Sequence, residues 1–282
     1  MIQRKDMNFG ILVNILFVPV IVLMASACST SGKSSPPIDA EQPAKKIDII
    51  GHRGAAGLVP ENTLSAFERA CEIGVDAIEL DVLLTADGNI IVHHDYALKP
   101  EIARTPQGEW LVRPGPTIKQ LTLAELKTYD VGRLKPGTGY SRRYPEQQPV
   151  DGERIPTLGE VISLVEATCD PTTQLWIEIK TNPEKSDLTP APETVADAVV
   201  SLLRMQNFTE RVRILSFDWR SLVQVHKTAP NLGPVYLSLE GRSLTQIKPG
   251  QPGASPWKAG LDLDAFSGSI PQTVKAAGGR YW

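Results

Sequence analysis

The sequence is poor in histidine and cysteine and carries no surplus of positive charge. Its 282 residues include 4 histidines and 3 cysteines, and the formal net charge is −3. A protein that binds nucleic acid usually presents an excess of lysine and arginine, so no nucleic-acid partner is expected. No internal repeat is apparent. A hydrophobic share of 41% and a charged share of 22% are ordinary for a globular protein, and the length fits one domain or two small ones.

The chain also lacks an apolar segment long enough for a comfortable transmembrane span. The run over residues 9–24 is short and follows the basic residues Arg4 and Lys5. Small residues at 25–27 then lead to Cys28. This order is typical of a secretory signal, and it resembles the signal of bacterial lipoproteins, in which the cysteine is lipidated and becomes the mature N-terminus.

This resemblance predicts where the protein is found. We expect a lipoprotein signal peptide over residues 1–28, lipidation at Cys28, and export to the cell envelope with a lipid anchor in the membrane. Ser29 after the cysteine, rather than Asp, is what the resemblance associates with the outer membrane, facing the periplasm. A cleaved signal with no lipid is the alternative.

The segment after the signal and the two remaining cysteines allow further expectations. Residues 29–46 are rich in Ser, Pro, Gly and Lys without apolar periodicity, which predicts a flexible tether. Export would allow Cys71 and Cys169 to form a disulfide. Because Cys71 falls on a predicted core-facing side of a helix, we expect it to be buried and unpaired instead.

From residue 47 onward, short apolar segments alternate with helical patterns. This alternation predicts a parallel sheet with helices outside, and at this length an α/β protein with a TIM-type (β/α) barrel. The Asp87-Gly88 turn is too short for a crossover, so the strands beside it should form a hairpin. Residues 96–155 are predicted to be an insertion with one helix capped at Thr122. The predicted strands cover residues 47–51, 77–83, 90–94, 175–180, 212–217 and 235–239.

Carboxylates recur on the predicted strands. Glu79 and Asp81 are two apart in one strand and therefore point to the same face, and Glu178 and Lys180 repeat that spacing. In a barrel these faces meet at the C-terminal mouth. Three carboxylates facing one cavity need a countercharge, and oxygen ligands favour a hard ion, Mg²⁺ or Ca²⁺, over Zn²⁺. The alternatives are a solvated edge strand for Glu79 and Asp81, and a simple ion pair between Glu178 and Lys180.

Two histidines follow neighbouring predicted strands. His52 ends the first strand, and His94 lies at the end of the third. Two imidazoles across a metal site supply what an acid–base displacement at phosphorus needs, because one accepts a proton and the other protonates the leaving oxygen. His93 alternates to the opposite face from His94, so we expect it to be packed or solvated.

The ordered set of these motifs resembles the glycerophosphodiester phosphodiesterase family. The resemblance is close from residue 47 to about residue 180 and looser to residue 282. Each motif alone is weak, but the order and spacing of the set are highly specific. The motifs are His52-Arg53-Gly54, Pro60-Glu61-Asn62-Thr63, Glu79-Leu80-Asp81-Val82, Thr85 with Asp87-Gly88, His94-Asp95, Ile155-Pro156-Thr157-Leu158 and Glu178-Ile179-Lys180.

The resemblance implies a phosphatidylinositol-phosphodiesterase-like barrel over residues 47–282 that hydrolyses glycerophosphodiesters to sn-glycerol 3-phosphate and an alcohol. It implies one divalent cation, Mg²⁺ or Ca²⁺, and roles for seven side chains. Three carboxylates bind the metal, two histidines transfer protons and two cations hold the phosphate. These are Glu79, Asp81 and Glu178, then His52 and His94, then Arg53 and Lys180. Attack by a neighbouring glycerol hydroxyl, through a cyclic phosphate, and attack by water both remain open.

The family usually continues through about two more barrel strands than this sequence contains. We therefore expect a C-terminally truncated, open barrel in which the strand at 47–51 lacks one neighbour and apolar side chains line the gap. Such a form should be less stable and far less active than a longer one.

Two other functions compete with this interpretation. A lysophospholipase D or phospholipase-C-like enzyme on the same barrel would need a longer apolar wall for an acyl chain. The insertion is polar instead, with Arg142 and Arg143, which favours a small head group. The second alternative is a non-catalytic, anchored binding protein, against which the presence of both His52 and His94 argues.

Overall fold

A computed structural model describes residues 47–239 and 253–282 of the chain. The predicted signal peptide, the lipidation at Cys28 and the tether over residues 29–46 lie outside the described residues. Within these two ranges, no helix combines the length and the apolar character that a membrane crossing requires.

The described ranges contain six strands and six α-helices. The strands are β1 (Ile50–Gly51), β2 (Ala77–Leu84), β3 (Ile90–Val92), β4 (Gln174–Ile179), β5 (Val212–Ser216) and β6 (Val235–Tyr236). The helices are α1 (Leu64–Ile73), α2 (Leu123–Leu126), α3 (Leu158–Thr168), α4 (Pro192–Met205), α5 (Trp219–Thr228) and α6 (Ile270–Ala276). Single 3₁₀ turns lie at Ile118–Gln120, Ser141–Arg143, Pro230–Leu232, Pro256–Lys258 and Asp264–Phe266.

The strands form one open, barrel-like sheet. Five of them run parallel in the order β1-β2-β4-β5-β6, and β3 pairs antiparallel with β2, which confirms the predicted hairpin. Every residue of β2 is buried, as expected for a central parallel strand covered on both faces. Among the described strands β1 pairs only with β2, and Ile47, Ile49 and Ile50 beside it are exposed. The predicted open edge at β1 is therefore confirmed within the described residues, whereas its effect on activity stays a prediction.

Helix ends follow the signals in the sequence. The Thr63 side chain caps α1, and Gly74 ends it with a φ of 77° that favours glycine. Capping boxes open α2 at Thr122 and α3 at Thr157. These signals involve only neighbouring residues, which explains why the sequence alone predicted the cap at Thr122.

The prediction that Cys71 is unpaired is wrong. A disulfide joins Cys71 to Cys169, with 4.6 Å between their Cα atoms. Cys71 lies near the end of α1 and Cys169 directly follows α3, and both side chains are half-buried at the margin of the core. The packing of α1 against α3 brings the two thiols together, and the pattern of either helix alone could not indicate this.

The insertion has a small apolar core of its own. Leu98, Ile118, Leu126 and Ile155 pack there against residues of the β2–β3 hairpin. Ion pairs from Arg104 and Arg133 to acidic residues connect its loops. The insertion is therefore a structured layer on the hairpin, close to the ends of β2 and β3.

Candidate active site

The loop after β1 is shaped by two glycines. A Cβ atom on Gly51 would lie 2.5 Å from the carbonyl oxygen of Gly54, and one on Gly54 would lie within 2.9 Å of three atoms of Ala66. Gly54 also has a φ of +81°, and Arg53 beside it has a φ of +52°, which is uncommon for a residue with a side chain. The loop thus turns tightly enough for the Arg53 backbone N–H to donate to Glu79 Oε2 at 2.9 Å.

Three carboxylates converge where β2 and β4 pair. The register places Asp81 opposite Glu178, and Glu79 precedes Asp81 on the same face of β2. One oxygen from each of the three lies within 4.8 Å of the others, and all three residues are buried. The structure therefore brings together the predicted ligand set, Glu79, Asp81 and Glu178, and neither the solvated edge strand nor a lone Glu178–Lys180 pair describes it.

Two cations lie against these carboxylates. Lys180 Nζ lies 2.8 Å from Glu178 Oε1 and 3.4 Å from Asp81 Oδ1, and Arg53 Nε lies 3.4 Å from Asp81 Oδ2. Burial opposes ionisation of Asp81, but the charge of Lys180 lowers its pKa overall. Burial and the charge of Asp81 raise the pKa of Glu79 to about 8.

The donor set fits a divalent cation. Four carboxylates, the three above and Glu61 beside Arg53, face two cations, so two negative charges remain unbalanced when all four are ionised. Burial, together with the neighbouring negative charge of Asp81, raises the pKa of Glu79, which a bound cation would offset. Buried oxygen ligands from several carboxylates suit Mg²⁺ or Ca²⁺.

Asn62 also supports the carboxylates, a role that the sequence analysis did not assign to it. Thr63 is the cap of α1. Asn62 is buried with a φ of +55°, and its Nδ2 donates to Asp81 Oδ2 at 2.9 Å. The Pro60-Glu61-Asn62-Thr63 motif was the only signal in the sequence that could have pointed to this contact.

The two predicted proton carriers lie at the edge of the carboxylate cluster. His52 Nε2 is 3.8 Å from Glu79 Oε2, and burial together with the Arg53 charge lowers the pKa of His52. His94 Nδ1 lies 3.1 Å from Asp95 Oδ1, which leaves Nε2 as the nitrogen free for chemistry. Asp95, which the sequence did not indicate as a partner, thus orients His94.

His93 was expected to be either packed or solvated, and the structure shows it packed. Its side chain is buried, and its Nε2 has no hydrogen-bond partner among the described residues. Burial lowers the pKa of His93, which favours a neutral imidazole. It is therefore separate from the pair of exposed or half-exposed histidines, His52 and His94.

Comparisons with known proteins find relatives over most of the chain. Residues 52–271 match the model of the Glycerophosphoryl diester phosphodiesterase family. The chain is 37% identical over 222 residues to a glycerophosphodiester phosphodiesterase of Caldanaerobacter subterraneus, covering 79% of this chain and 74% of the relative. It is 34% identical over 224 residues to the Bacillus subtilis glycerophosphodiester phosphodiesterase, covering 75% and 68%.

Solved structures show the same relationship. A protein of Silicibacter pomeroyi assigned as a glycerophosphoryl diester phosphodiesterase superposes with a TM-score of 0.71 at 33% identity, covering 83% of this chain and 73% of that one. An Oleispira antarctica phosphodiesterase in complex with the product sn-glycerol-3-phosphate has a TM-score of 0.51 at 25% identity, covering 83% of each chain.

Proposed function

The chain belongs to the glycerophosphoryl diester phosphodiesterase family, and from that membership we propose that it hydrolyses glycerophosphodiesters to sn-glycerol 3-phosphate and an alcohol. The observation that carries the proposal is the buried cluster of Glu79, Asp81 and Glu178 beside Arg53 and Lys180. Buried carboxylates with a shortage of countercharge, next to two cations and two histidines, fit a phosphate diester and a metal together.

The three carboxylates would hold one divalent cation, Mg²⁺ or Ca²⁺. When bound, this cation supplies positive charge to the phosphate oxygens. Lys180 and Arg53 border the same cluster and would bind the remaining phosphate oxygens. The substrate phosphate would thereby be fixed at the ends of β2 and β4.

His52 and His94 would carry the protons. One imidazole accepts the proton of the attacking hydroxyl, and the other protonates the leaving alcohol. Asp95 fixes the ring of His94 so that Nε2 remains free for the substrate. The attacking oxygen belongs either to a neighbouring glycerol hydroxyl or to water, and detection of a cyclic glycerol phosphate during turnover would identify the first route.

Release of sn-glycerol 3-phosphate from glycerophosphocholine tests this function. We expect release by the wild type, its loss with a chelator, and its recovery with added Mg²⁺ or Ca²⁺. Glu178→Gln should lower kcat/KM by at least about 100-fold because it removes a charged ligand from the cluster. Glu184→Gln, at an exposed carboxylate beyond β4, is the matched control and should match the wild type.

The outcomes separate the competing functions. Substrate binding without release at any metal concentration would favour the anchored binding protein. Faster turnover of lysophosphatidylcholine than of glycerophosphocholine would favour the lysophospholipase D activity. Chelator-resistant release would contradict the metal-dependent reaction.

We also propose that the enzyme acts at the cell envelope, held by a lipid on Cys28. The support is the sequence order of basic, apolar and small residues that leads to this cysteine. A glycerophosphodiesterase in the periplasm would meet deacylated phospholipid head groups there.

A further inference from the structure

The insertion reaches the proposed phosphate-binding arginine through one side chain, Tyr140. Arg53 Nη1 donates to the Tyr140 hydroxyl at 3.1 Å, and that hydroxyl in turn donates to Glu61 Oε2. Arg53 Nη1 also donates to Glu61 Oε1 at 2.8 Å. Arg53, Glu61 and Tyr140 therefore form a closed ring of hydrogen bonds between the β1 loop, the loop before α1 and the insertion.

Two members of this ring, Glu61 and Arg53, are largely shielded from water, and Tyr140 is half-buried. Only 5% of the Glu61 side chain and 12% of the Arg53 side chain are exposed. Among the described residues the Tyr140 hydroxyl is the only donor to Glu61 Oε2, so its removal would leave a buried carboxylate oxygen unpaired. Burial and the charge of Glu61 raise the pKa of Tyr140, which keeps the hydroxyl protonated as a donor.

This ring of hydrogen bonds restrains one end of the guanidinium. Nη1 makes both hydrogen bonds, whereas the buried Nε makes none among the described residues and faces Asp81 Oδ2 at 3.4 Å. The contact from Tyr140 therefore fixes the direction of a group that must meet phosphate.

The aromatic face of Tyr140 contacts the other side of the site. Lys99 Nζ lies 5.2 Å from the ring centroid and 2.7 Å from Asp95 Oδ2. Asp95 Oδ1 is the oxygen that faces His94 Nδ1. One residue of the insertion thus touches the supports of both Arg53 and His94.

We propose that Tyr140 is a positioning residue, which orients Arg53 toward the phosphate through its hydroxyl and Glu61. This inference rests on the proposed function, since it assigns Arg53 to the phosphate. It gives the insertion a role in turnover that its polar composition did not indicate.

Tyr140→Phe removes the hydroxyl and keeps the aromatic ring over Lys99. We expect kcat/KM for glycerophosphocholine to fall about tenfold, because a hydrogen bond in a charged network is lost. Metal affinity should stay near the wild-type value, whereas the melting temperature should fall modestly because Glu61 Oε2 loses its donor. Tyr144→Phe is the matched control, since it keeps the aromatic ring that packs edge-on against Tyr140 and removes a hydroxyl that makes no hydrogen bond among the described residues. Tyr140→Leu, which also removes the ring, should lower kcat further.

A double-mutant cycle separates positioning from a general structural effect. In an Arg53→Lys background, Tyr140→Phe should change kcat/KM by less than about twofold, because the guanidinium that it orients is gone. An undiminished loss in that background, or wild-type turnover of Tyr140→Phe itself, would overturn the inference.

Binding of sn-glycerol 3-phosphate provides a readout that does not need turnover. Calorimetry in the presence of Mg²⁺ or Ca²⁺ should show about tenfold weaker binding by Tyr140→Phe than by the wild type. A wild type that binds this ligand but releases none from substrate would refute the proposed function, while the comparison of the two affinities would still test Tyr140. Equal affinities would overturn its positioning role.

Discussion

At the scale of single residues, the site combines two backbone conformations that side chains rarely adopt. Arg53 and Asn62 have φ values of +52° and +55°, and both side chains face the carboxylate of Asp81. Such conformations cost stability and persist where surrounding contacts impose them. Here the two loops bring a guanidinium and an amide to the same buried carboxylate. The strained backbone at Arg53 and Asn62 is thus what places both side chains against Asp81.

Replacing Asn62 with Gly should weaken metal binding. Glycine accepts the positive φ, so the change removes the amide that holds Asp81 without adding strain. Loss of a group that orients a metal ligand typically costs about 10–100-fold in affinity, and calorimetric titration with Mg²⁺ or Ca²⁺ would measure it. Asn207→Gly is the control, because Asn207 has a φ of +54° and lies exposed after α4. Wild-type affinity in Asn62→Gly would mean that Asp81 needs no support from the amide.

The histidines should separate into two that serve turnover and one that serves stability. His52→Ala and His94→Ala should each lower kcat by about 10²–10⁴-fold, the usual contribution of acid–base catalysis. His93→Ala should keep kcat close to wild type, because His93 Nε2 makes no hydrogen bond to the site among the described residues. The same change should lower the melting temperature, because deleting a buried side chain leaves a cavity. A larger loss of kcat in His93→Ala than in His94→Ala would reverse these roles.

At the scale of elements, local signals were sufficient for the strands and for the helix capped at Thr122. Alternation along β2 predicted that Glu79 and Asp81 share a face, and the cap at Thr122 predicted the start of α2. Contacts between distant segments could not be predicted from such local patterns. The approach of Tyr140 to Arg53 depends on how the insertion packs against the β2–β3 hairpin, and no periodicity encodes that packing.

The disulfide between α1 and α3 should stabilise the folded protein. Cys71 and Cys169 are 98 residues apart, so the crosslink removes a large amount of freedom from the unfolded chain. Cys71→Ser should lower the free energy of unfolding by about 2–4 kcal/mol, as measured by urea denaturation of the oxidised protein. Reductant should destabilise the wild type and have no effect on Cys71→Ser. Equal stability of the oxidised and reduced wild type would argue against a crosslink in solution.

At the scale of the whole molecule, the three buried carboxylates and the open edge of the sheet lie on different strands, although His52 and Arg53 directly follow β1. The carboxylates lie on β2 and β4, in the interior of the strand order, whereas the exposed isoleucines lie beside β1. At the other end, Val235 of β6 pairs with Tyr281. The carboxylate cluster therefore depends on the central strand pairing, which explains how three buried carboxylates come together in a sheet that does not close within the described residues.

A lipid on Cys28 should hold the protein at the membrane. If Cys28 carries lipid, Cys28→Ser should move the protein from the membrane fraction to a soluble or unprocessed form, because the thiol is the attachment point of the acyl chains. Cell fractionation and immunoblotting would measure this, with Thr30→Ala as the control that leaves the cysteine and its neighbour in place. Ser29→Asp should shift the protein from the outer to the inner membrane, since the resemblance to lipoprotein signals connects that position with sorting. Unchanged fractionation of Cys28→Ser would identify a plain secretory signal, and the enzyme would then act free in the compartment to which it is exported.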